Sequence, residues 1–329
     1  MPYSSKIATF AVIDLETNGL PDLQFNKCSI TELSIIAFSS KYEGKQTEKQ
    51  STAVKKGDHL LSSKSVPELP RALHKLNLMV NPLASICPEA EKKTGLNNWM
   101  LEHERPFDKS TADLLISFLQ RLQQPVCLVA HNGLGFDFPV LRYVMKKLDL
   151  QKFPSSILCV DSWKAFQVID AEIEINNNNH NQMNADIENT NEDTNRENGN
   201  EINPETTSSK QVLSPINAPI DWQKINETTP HRPCKTYHRK CLSDDNNAVE
   251  SPPAKRSLFS PSKPAKGYYQ LGNIYKRIFQ EDFKDLHRAE NDVVVLSKLI
   301  LHYGLAFIEY ANNNALSLNE VPSLDERKT

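Results

Sequence analysis

Two acids with a spacing that favours metal binding stand near the start of the chain. Asp14 and Glu16 follow the apolar run Phe10–Ile13. Because a β-strand turns alternate side chains to the same face, both carboxylates would point the same way from the end of a buried strand. Two adjacent anions repel each other unless a cation lies between them, and hard divalent cations bind carboxylate oxygens. The pair therefore indicates a candidate metal site, although most such pairs in proteins are simply solvated.

A third acid, Asp137, stands between a buried strand and a helix. It follows the apolar run Val126–Ala130 and a glycine-containing loop, and Pro139 suits the first turn of the helix that comes next. A helix N-cap would explain Asp137 without any metal. A loop at the carboxyl end of a strand is also where sites form in open α/β sheets, so the residues alone leave both roles open.

A fourth acid and a histidine open the apolar helix that begins near residue 289. Asp292 lies in its first turn, and His287 comes five positions earlier. Five helical steps would turn the two side chains apart, so they can face one site only if His287 lies in the loop before the helix. The alternative is that Asp292 only complements the helix dipole and that His287 is an exposed polar residue.

Together these five residues resemble the DEDDh family of 3′→5′ exonucleases, in which four carboxylates bind metal and a histidine is the general base. The matching positions are Asp14, Glu16, Asp137 and Asp292 for the carboxylates and His287 for the base. Arg288 stands where the tyrosine branch of the family needs Tyr. Further motifs are similar to the TREX-type three-prime repair exonucleases: those at 130–139, 159–162 and 271–275 and, more weakly, Lys93–Leu96.

The resemblance implies a fold, a cofactor, a substrate and an assembly. The fold would be α/β and ribonuclease H-like (DnaQ-like), with a mixed β-sheet flanked by α-helices. Two Mg²⁺ ions per active site, replaceable by Mn²⁺, would support the release of 5′-mononucleotides from DNA with a free 3′ end. TREX-type enzymes are homodimers, so a homodimer is expected here. The resemblance places the terminal nucleotide against Glu16, Leu20, Pro21, His131 and Tyr269.

The loop before Asp137 departs from the family. Mammalian relatives carry an acidic-basic pair there, and its basic residue helps to engage duplex DNA, whereas this chain has Leu134-Gly135-Phe136. A preference for single-stranded DNA is therefore expected. The membrane-anchoring tail of one relative is also not matched, so no membrane anchoring is expected.

Two other functions stay open at this stage. A 3′→5′ RNA or oligoribonucleotide exonuclease would use the same fold and the same acids, because the sequence does not settle which sugar is accepted. An inactive nucleic-acid-binding module is the second alternative, and the intact set of five residues argues against it.

Composition divides the 329 residues into segments with different properties. Residues 1–169 and 267–315 are predicted to form a single exonuclease domain. Residues 170–266 are predicted to be a disordered, low-complexity insertion, because eleven of the thirty residues from 171 to 200 are Asn and large apolar groups are rare there. Residues 316–329 are predicted to be a polar tail.

Periodicity predicts a mixed α/β order within the globular segments. The predicted strands are Thr9–Leu15, Thr31–Phe38, Val126–Ala130 and Ser156–Val160. The predicted helices are Thr111–Leu122, one from about Pro139 to Leu148, Ser162–Val168, Leu271–Phe279 and Ala289–Tyr303. Strands first and then alternating helices and strands favour a mixed sheet covered by helices.

The insertion carries motifs that would suit regulation. Its first part is acidic, and Arg232–Lys266 carries eight Lys or Arg residues against three acids. The basic part would track a phosphate backbone, although a solvated spacer is an equally good interpretation. Ser-Pro pairs and Arg256–Phe259 resemble sites for a cyclin-dependent kinase contact; the pairs begin at Ser214, Ser251 and Ser260. A zinc site formed by His231, Cys234, His238 and Cys241 fits no standard spacing.

Charge and cysteine use bear on the compartment and the partners. The formal net charge is -3, so contact with a nucleic acid would need a local basic surface. Six scattered cysteines suggest no disulfide framework, and no secretory signal or long apolar run is visible. The nucleus, the cytoplasm or both are expected, with neither secretion nor membrane anchoring.

Overall fold

The computed structural model describes residues 6–41, 65–150, 152–191 and 264–327. The chain divides into two compact units, the first formed by residues 1–209 and 269–329 and the second by residues 210–268. In the second unit only residues 264–268 are described, and there the Tyr268 N–H donates a hydrogen bond of 2.9 Å to the Ala265 carbonyl oxygen. The sheet, the helices and the candidate site all belong to the first unit.

A mixed six-stranded sheet forms the centre of the described part of the first unit, in the order β3-β2-β1-β4-β5-β6. β1 pairs antiparallel with β2 and parallel with β4; β3 and β6 are antiparallel edge strands, and β5 runs parallel to β4. The predicted fold class, a ribonuclease H-like mixed sheet with helices around it, is confirmed. The strands are β1 Thr9–Thr17, β2 Ile30–Ser39, β3 Leu73–Met79, β4 Val126–Ala130, β5 Ile157–Asp161 and β6 Leu316–Ser317.

Helices cover the sheet, and an apolar cluster between them and the strands forms the main core. Phe10 on β1 packs edge-on against Phe307, with ring centroids 5.6 Å apart, and Phe166 stacks on Tyr303 at 4.6 Å. The helices are α1 Pro88–Thr94, α2 Lys109–Arg121, α3 Asp137–Lys147, α4 Ser162–Asn191, α5 Leu271–Phe279 and α6 Ala289–Asn314.

Two elements that precede β4, namely β3 and α1, are not predicted from the sequence. β3 is an edge strand in which partly buried Leu73, Leu76 and Leu78 alternate irregularly with exposed polar residues. Its residues are not β-branched, so the strand signal is weak, and its pairing with β2 decides its conformation. α1 is only seven residues long and buries Ala90 and Thr94.

The helix after β5 is longer than predicted. α4 runs Ser162–Asn191, whereas the sequence predicts an end at Val168. Just beyond the predicted end the helix is tied to the domain, because the Asp170 carboxylate accepts hydrogen bonds from Arg277 at 2.9 Å and from Tyr303 at 2.8 Å. The predicted end of the helix is therefore wrong, and the part of the insertion from residue 170 to 191 is helical.

The rest of the predicted insertion lies outside the described residues. This applies to residues 192–263 and to the proposed motifs within them, which are the Ser-Pro pairs, the cyclin-docking sequence and the zinc candidates. The predictions made for them stay predictions.

α6 is long and apolar enough, by length and composition alone, to cross a membrane. Its path is interrupted at Gly304, where φ is 53° and ψ is −123°. Val293, Leu299 and Phe307 are buried within the main core, so one side of the helix packs inside the domain. We interpret α6 as a core helix of this α/β domain.

The segment 316–327 is part of the domain, contrary to the prediction of a polar tail. β6 pairs with β5, and two short 3₁₀ helices follow at Leu318–Glu320 and Leu324–Glu326. The side chains of Leu318, Val321 and Leu324 are buried. The prediction fails because three apolar residues at every third position in a polar stretch match neither a strand nor an α-helix.

A substitution at Leu324 should show that this segment is folded. Leu324→Ala removes a fully buried side chain and should lower the free energy of unfolding by about 2–5 kcal/mol, measured by urea denaturation. Leu305→Ala is the matched control, because Leu305 is 68% exposed and its replacement should change stability by no more than about 0.5 kcal/mol. Equal, small effects of both changes would contradict the packed position of the segment.

Candidate active site

β1 carries two of the predicted acids at its carboxyl end. Every residue of β1 is buried except Asp14 and Glu16, which are partly exposed and lie on the same face of the strand. Glu16 pairs in register with Glu32 on β2, and the register shifts between Glu16 and Thr17. A register shift of this kind bends a strand and re-aims its side chains, and here it directly follows the second acid.

Asp137 is the first residue of α3, and its carboxylate does not cap that helix. The N-cap is Phe136, and the Asp137 Oδ1 atom accepts a hydrogen bond of 3.1 Å from the Leu15 N–H. Leu15 lies between the two acids of β1, so this bond holds Asp137 next to both of them. The N-cap alternative left open by the sequence therefore does not describe the contact that Asp137 makes.

A buried aspartate at the end of β5 shapes the loop before Asp137. The Asp161 Oδ1 atom accepts from the N–H groups of Asn132 at 3.1 Å and of Trp163 at 2.9 Å, and its Oδ2 atom accepts from Leu134 at 3.2 Å. The bonds from Asn132 and Leu134 fix the start of the loop to the neighbouring strand, and the bond from Trp163 belongs to the helix that follows that strand. Asp161 stands in a motif that resembles the family, but no role for its side chain is predicted from the sequence.

His287 lies in the loop directly before α6, the place that lets it face Asp292. Its backbone N–H donates a hydrogen bond of 3.0 Å to the Asp292 Oδ2 atom. The His287 φ angle is 72°, a left-handed conformation that non-glycine residues seldom adopt. One ligand atom each from Glu16, His287 and Asp292 lie within 4.8 Å of one another. The structure thus brings Glu16 on β1 together with His287 in the loop before α6, 271 positions away (287 − 16) in the sequence.

The Asp292 carboxylate offers an oxygen that suits a cation. Its Oδ1 atom is buried and has no hydrogen-bond partner among the described residues. A buried carboxylate oxygen without a partner is costly, and a divalent cation would satisfy it. Together with the carboxylates of β1 and the oxygen of Asp137, the donor set is made of hard oxygen ligands, so these residues fit a divalent metal.

Burial and mutual repulsion raise the pKa of the carboxyl groups in this cluster. Burial is the largest cause in each case, and the charges of neighbouring acids add to it. The pKa of Glu16 and that of Asp137 rise to about 8, and the pKa of Asp292 rises to about 6. The pKa of Asp14 is raised well above its usual range by burial and then by Asp137, Asp292, Glu16 and Glu32. The cluster therefore requires either protons or cations.

Glu32 is a further acid of this cluster that sequence reasoning misses. It is buried on β2, and its Oε2 atom accepts a hydrogen bond of 3.2 Å from the Ala289 N–H at the start of α6. This contact favours an anion, because the N-terminus of a helix carries a partial positive charge. Glu32 thereby anchors the helix that carries Asp292, and burial raises its pKa. Only its position opposite Glu16 reveals this role, and pairing registers are not visible in the sequence.

Lys93 brings a positive charge near the acids. It is exposed on α1 and lowers the pKa of Glu16 and of Asp292, in opposition to burial. It also lowers the pKa of the His287 imidazole, although burial is the larger cause there. The lowered pKa favours the neutral imidazole, which can accept a proton at neutral pH.

The residues predicted to contact a terminal nucleotide lie in different environments. Leu20 is 58% exposed and precedes a 3₁₀ helix that starts at Pro21, so both lie on an accessible loop directly after β1. Tyr269 is partly buried, and the Arg277 guanidinium lies 5.4 Å from the centre of its ring. Their predicted contact with a nucleotide stays a prediction.

Both ring nitrogens of His131 contact other protein groups. The His131 Nε2 atom lies 2.8 Å from the Tyr269 carbonyl oxygen, which can only accept, so Nε2 is the donor. The Nδ1 atom lies 3.1 Å from the Ser162 Oγ atom. Burial lowers the pKa of His131 to about 4, so the ring is neutral at pH 7 and Nδ1 faces the Ser162 hydroxyl, which also donates to the Ala130 carbonyl oxygen at 3.2 Å. In this arrangement His131 ties the end of β4 to the segment before α5.

Curated proteins with similar sequences are three-prime repair exonucleases, although no family model matches the chain. "Three-prime repair exonuclease 1" of Bos taurus is 36% identical over 166 residues, which cover 50% of this chain and 49% of that protein. "Three prime repair exonuclease 2" of Homo sapiens is 32% identical over 173 residues, covering 52% of this chain and 66% of that protein. The chain spans about half the length of the first of these relatives. The predicted relationship to the three-prime repair exonucleases is confirmed.

The comparison with solved structures gives low TM-scores. The crystal structure of cell-death related nuclease 4 (CRN-4) gives a TM-score of 0.41 with 12% identity over 91% of this chain and 64% of that chain. E. coli exonuclease I in complex with a 5cy-dA13 oligonucleotide gives a TM-score of 0.34 with 14% identity over 50% of this chain and 30% of that chain. Both TM-scores lie below 0.5, and the sequence relatives alone carry the family relationship.

We expect the metal-free protein to lose stability as the pH rises from about 5 to about 9. A carboxyl group whose folded-state pKa is raised stabilises the fold fully below its unfolded-state pKa of about 4. That contribution is lost as the pH rises through the folded-state values of about 6 for Asp292 and about 8 for Glu16 and Asp137. Thermal unfolding in EDTA and in Mg²⁺ at several pH values would measure the loss, and Mg²⁺ should restore the midpoint.

A paired substitution separates this effect from general damage. Asp137→Asn keeps an oxygen for the Leu15 N–H and removes a negative charge. It should therefore raise the midpoint of thermal unfolding in EDTA at pH 8, by about 2–4 °C for each kcal/mol of stability gained. The same substitution should abolish most of the increase in the unfolding midpoint that Mg²⁺ causes in the wild type. Asp113→Asn, at an exposed position of α2, is the control and should alter neither value. A lower midpoint for Asp137→Asn in EDTA at pH 8 would show that repulsion is not the dominant effect.

Proposed function

We propose that this chain, a relative of the three-prime repair exonucleases, is a divalent-metal-dependent 3′→5′ exonuclease that releases 5′-mononucleotides from DNA 3′ ends. The observation that carries the proposal is the convergence of four acids and a histidine from separate elements at the carboxyl end of β1. These residues are Asp14, Glu16, Asp137, Asp292 and His287.

The acids suit the chemistry of phosphodiester hydrolysis. Asp14, Glu16, Asp137 and Asp292 would hold two divalent cations, with Mg²⁺ the expected ion because every carboxylate is a hard oxygen ligand. When bound, such cations supply activation of the attacking water and neutralise the charge on the leaving oxygen. The protein's own contribution is to keep these carboxylates together despite their repulsion, through the hydrogen bonds that the amides of Leu15 and His287 donate.

His287 suits the role of general base. Its imidazole lies within 4.8 Å of oxygens of Glu16 and Asp292, so it is at the edge of the cation site and open to solvent. Burial and Lys93 lower its pKa, which keeps the ring neutral and able to take a proton from the attacking water at neutral pH. Asp292 holds the His287 backbone in place through the 3.0 Å bond, so the base and a ligand are positioned together.

The loop after β1 suits contact with the base at the 3′ end. Leu20 is an exposed apolar side chain beside Pro21, close in the chain to Glu16. Apolar side chains can wedge against an unstacked base without reading its identity. Because the loop Leu134-Gly135-Phe136 carries no basic side chain, we propose that single-stranded DNA is preferred over duplex DNA. RNA, the alternative substrate, would use the same acids.

Mononucleotide release from labelled single-stranded DNA tests the proposal. The protein should release 5′-mononucleotides in Mg²⁺ or Mn²⁺, and EDTA should abolish the release. Asp14→Ala and His287→Ala should each lower kcat by at least about 100-fold, the usual range for the loss of a general base or an essential cation ligand. Matched RNA and duplex DNA in the same assay report which sugar and which strand state are preferred.

Matched variants distinguish loss of chemistry from loss of folding. Asp113→Ala and His103→Ala replace the same residue types at exposed positions and should keep full activity. Leu20→Ala should raise KM for DNA without weakening Mn²⁺ binding, because the side chain is exposed and is no cation ligand. Activity that survives EDTA, or cleavage of RNA alone, would refute the main claim.

We also propose that the chain forms a homodimer through β3. β3 ends the sheet, and no strand among the described residues pairs with its outer edge. An edge with open backbone groups and an apolar side chain such as Met79, which is 45% exposed, favours pairing with a second copy. A homodimer is also what the resemblance to the TREX-type exonucleases implies.

Sedimentation velocity tests this assembly. The wild-type chain should sediment at twice its mass of 37.3 kDa, and Met79→Lys should shift it toward the monomer, since a lysine on an edge strand opposes strand pairing. Met100→Lys, at a 52% exposed position outside β3, is the control and should remain dimeric. A wild-type monomer at all concentrations would refute the proposal.

A further inference from the structure

The loop that presents Asp137 is gripped by an arginine from the far end of the sequence. The Arg327 NH1 group donates a hydrogen bond of 2.7 Å to the Gly135 carbonyl oxygen, and its NH2 group donates one to the Leu134 carbonyl oxygen. One planar guanidinium therefore binds two consecutive carbonyls, an arrangement to which the rigid fork of an arginine is well suited. These carbonyls stand two and three residues before Asp137.

Several other backbone groups of this loop are hydrogen-bonded to neighbouring residues. The N–H of Leu134 donates to Asp161, the N–H groups of Gly135 and Phe136 both donate to the Asn132 carbonyl oxygen, and the Phe136 carbonyl accepts from Val140 within α3. The carbonyls of Leu134 and Gly135 are the remaining acceptors of the turn, and Arg327 supplies both donors. The loop is thus held on one side by a buried aspartate and on the other by a charged guanidinium.

Gly135 gives the turn no room to move toward its own interior. A Cβ atom at this position would meet the Asn132 Oδ1 atom at 2.3 Å. The backbone of the turn therefore packs directly on the Asn132 side chain, and Arg327 holds it from outside. Since α3 begins two residues later, the position of the turn determines where the Asp137 carboxylate meets the Leu15 N–H.

The segment 316–327 is anchored firmly enough to aim Arg327. Arg142 on α3 donates from Nε to the Val321 carbonyl oxygen at 3.2 Å, and Lys146 on α3 forms ion pairs with Asp325 at 3.1 Å and Glu326 at 3.0 Å. Beyond these contacts, the Ser323 N–H donates a hydrogen bond of 3.0 Å to the Glu326 Oε2 atom. The segment therefore lies along the helix that begins with Asp137 and also reaches the turn before it.

The Arg327 guanidinium is charged at neutral pH. Burial lowers the pKa of Arg327 to about 10, and the charge of the Asp22 carboxylate opposes that lowering. Asp22 lies in the 3₁₀ helix that begins at Pro21. Both hydrogen bonds to the turn before α3 are therefore donated by a charged group, which makes them stronger than bonds from a neutral donor.

We propose that Arg327 is a positioning residue for the cation site: it fixes the Leu134–Gly135 turn and, through it, the Asp137 carboxylate. This inference rests on the proposed metal-dependent function. In this chain a basic side chain does reach the loop before Asp137, but it comes from the segment 316–327 and is used to hold the backbone of the loop. Cation affinity therefore depends on whether this segment is docked.

Direct binding of Mn²⁺ to the full chain without DNA tests the inference. The loss of free Mn²⁺ signal in electron paramagnetic resonance gives the dissociation constant without any need for activity. Arg327→Ala should raise that constant about 10-fold or more, the range found when groups behind metal ligands are removed. Arg327→Lys should fall between the wild type and Arg327→Ala, because an ammonium cannot donate to both carbonyls in the same geometry. Arg105→Ala, at an exposed ion pair of the surface, is the matched control and should bind like the wild type.

The outcomes separate positioning from a merely structural role. Far-UV circular dichroism and thermal unfolding identify the folded fraction of each variant, and Arg327→Lys serves if Arg327→Ala does not fold. A lower midpoint of unfolding with an unchanged Mn²⁺ constant in both variants would overturn the inference. Absence of Mn²⁺ binding in the wild type would instead refute the proposed function. The Mg²⁺ concentration that gives half-maximal nuclease activity should shift in the same direction as the Mn²⁺ constant.

Discussion

Electrostatic repulsion among the acids that cluster at the carboxyl end of β1 is the constraint on which the rest of this structure depends. Burial and neighbouring charge raise the pKa of each of these carboxyl groups, so without cations the cluster is stable only while it keeps protons. The fold opposes the repulsion with backbone amides that belong to neighbouring elements. These donor and acceptor pairs are Leu15 to Asp137, His287 to Asp292 and Ala289 to Glu32.

Such amides restrain the acids effectively because each belongs to a rigid element. The Leu15 N–H is part of the central strand, whose neighbours on both sides are paired with it. The Ala289 N–H belongs to the first turn of a long core helix. An acid bound to such a group cannot move away from the others unless a strand or a helix moves too. The free energy needed to hold the acids together is therefore supplied by the whole sheet. The expected consequence is affinity for divalent cations.

Residues that are neither proposed cation ligands nor the proposed general base hold the candidate site in place. Asp161 fixes the start of the loop before Asp137, and the ring of His131 links β4 to the segment before α5. The segment 316–327 adds a support from outside, through buried leucines and the guanidinium of Arg327. The candidate site is thus built in two layers, with acids on strand and helix ends and a surrounding set of hydrogen bonds that aims them.

The central strands and the identity of the candidate site residues were accessible from the sequence. A buried strand produces a run of apolar residues, and acids at its end stand out against that run, as Asp14 and Glu16 do. The edge strand β3 was not accessible, because its leucines carry no strand preference and its conformation comes from pairing with β2. The end of α4 was misjudged because Asp170 gains its partners, Arg277 and Tyr303, only in the folded domain.

The sequence by itself determined the chemistry that is possible here: four acids, a histidine, and the local patterns that put each at the end of a strand or the start of a helix. The tertiary structure alone decided which groups meet. Glu32 joined the cluster because strands β1 and β2 pair in one register, and Arg327 reached the turn before Asp137 because the segment 316–327 folds back along α3. The hydrogen bond between Ala289 and Glu32 joins residues 257 positions apart, and no local pattern encodes such a contact, because its energy exists only when distant elements pack together.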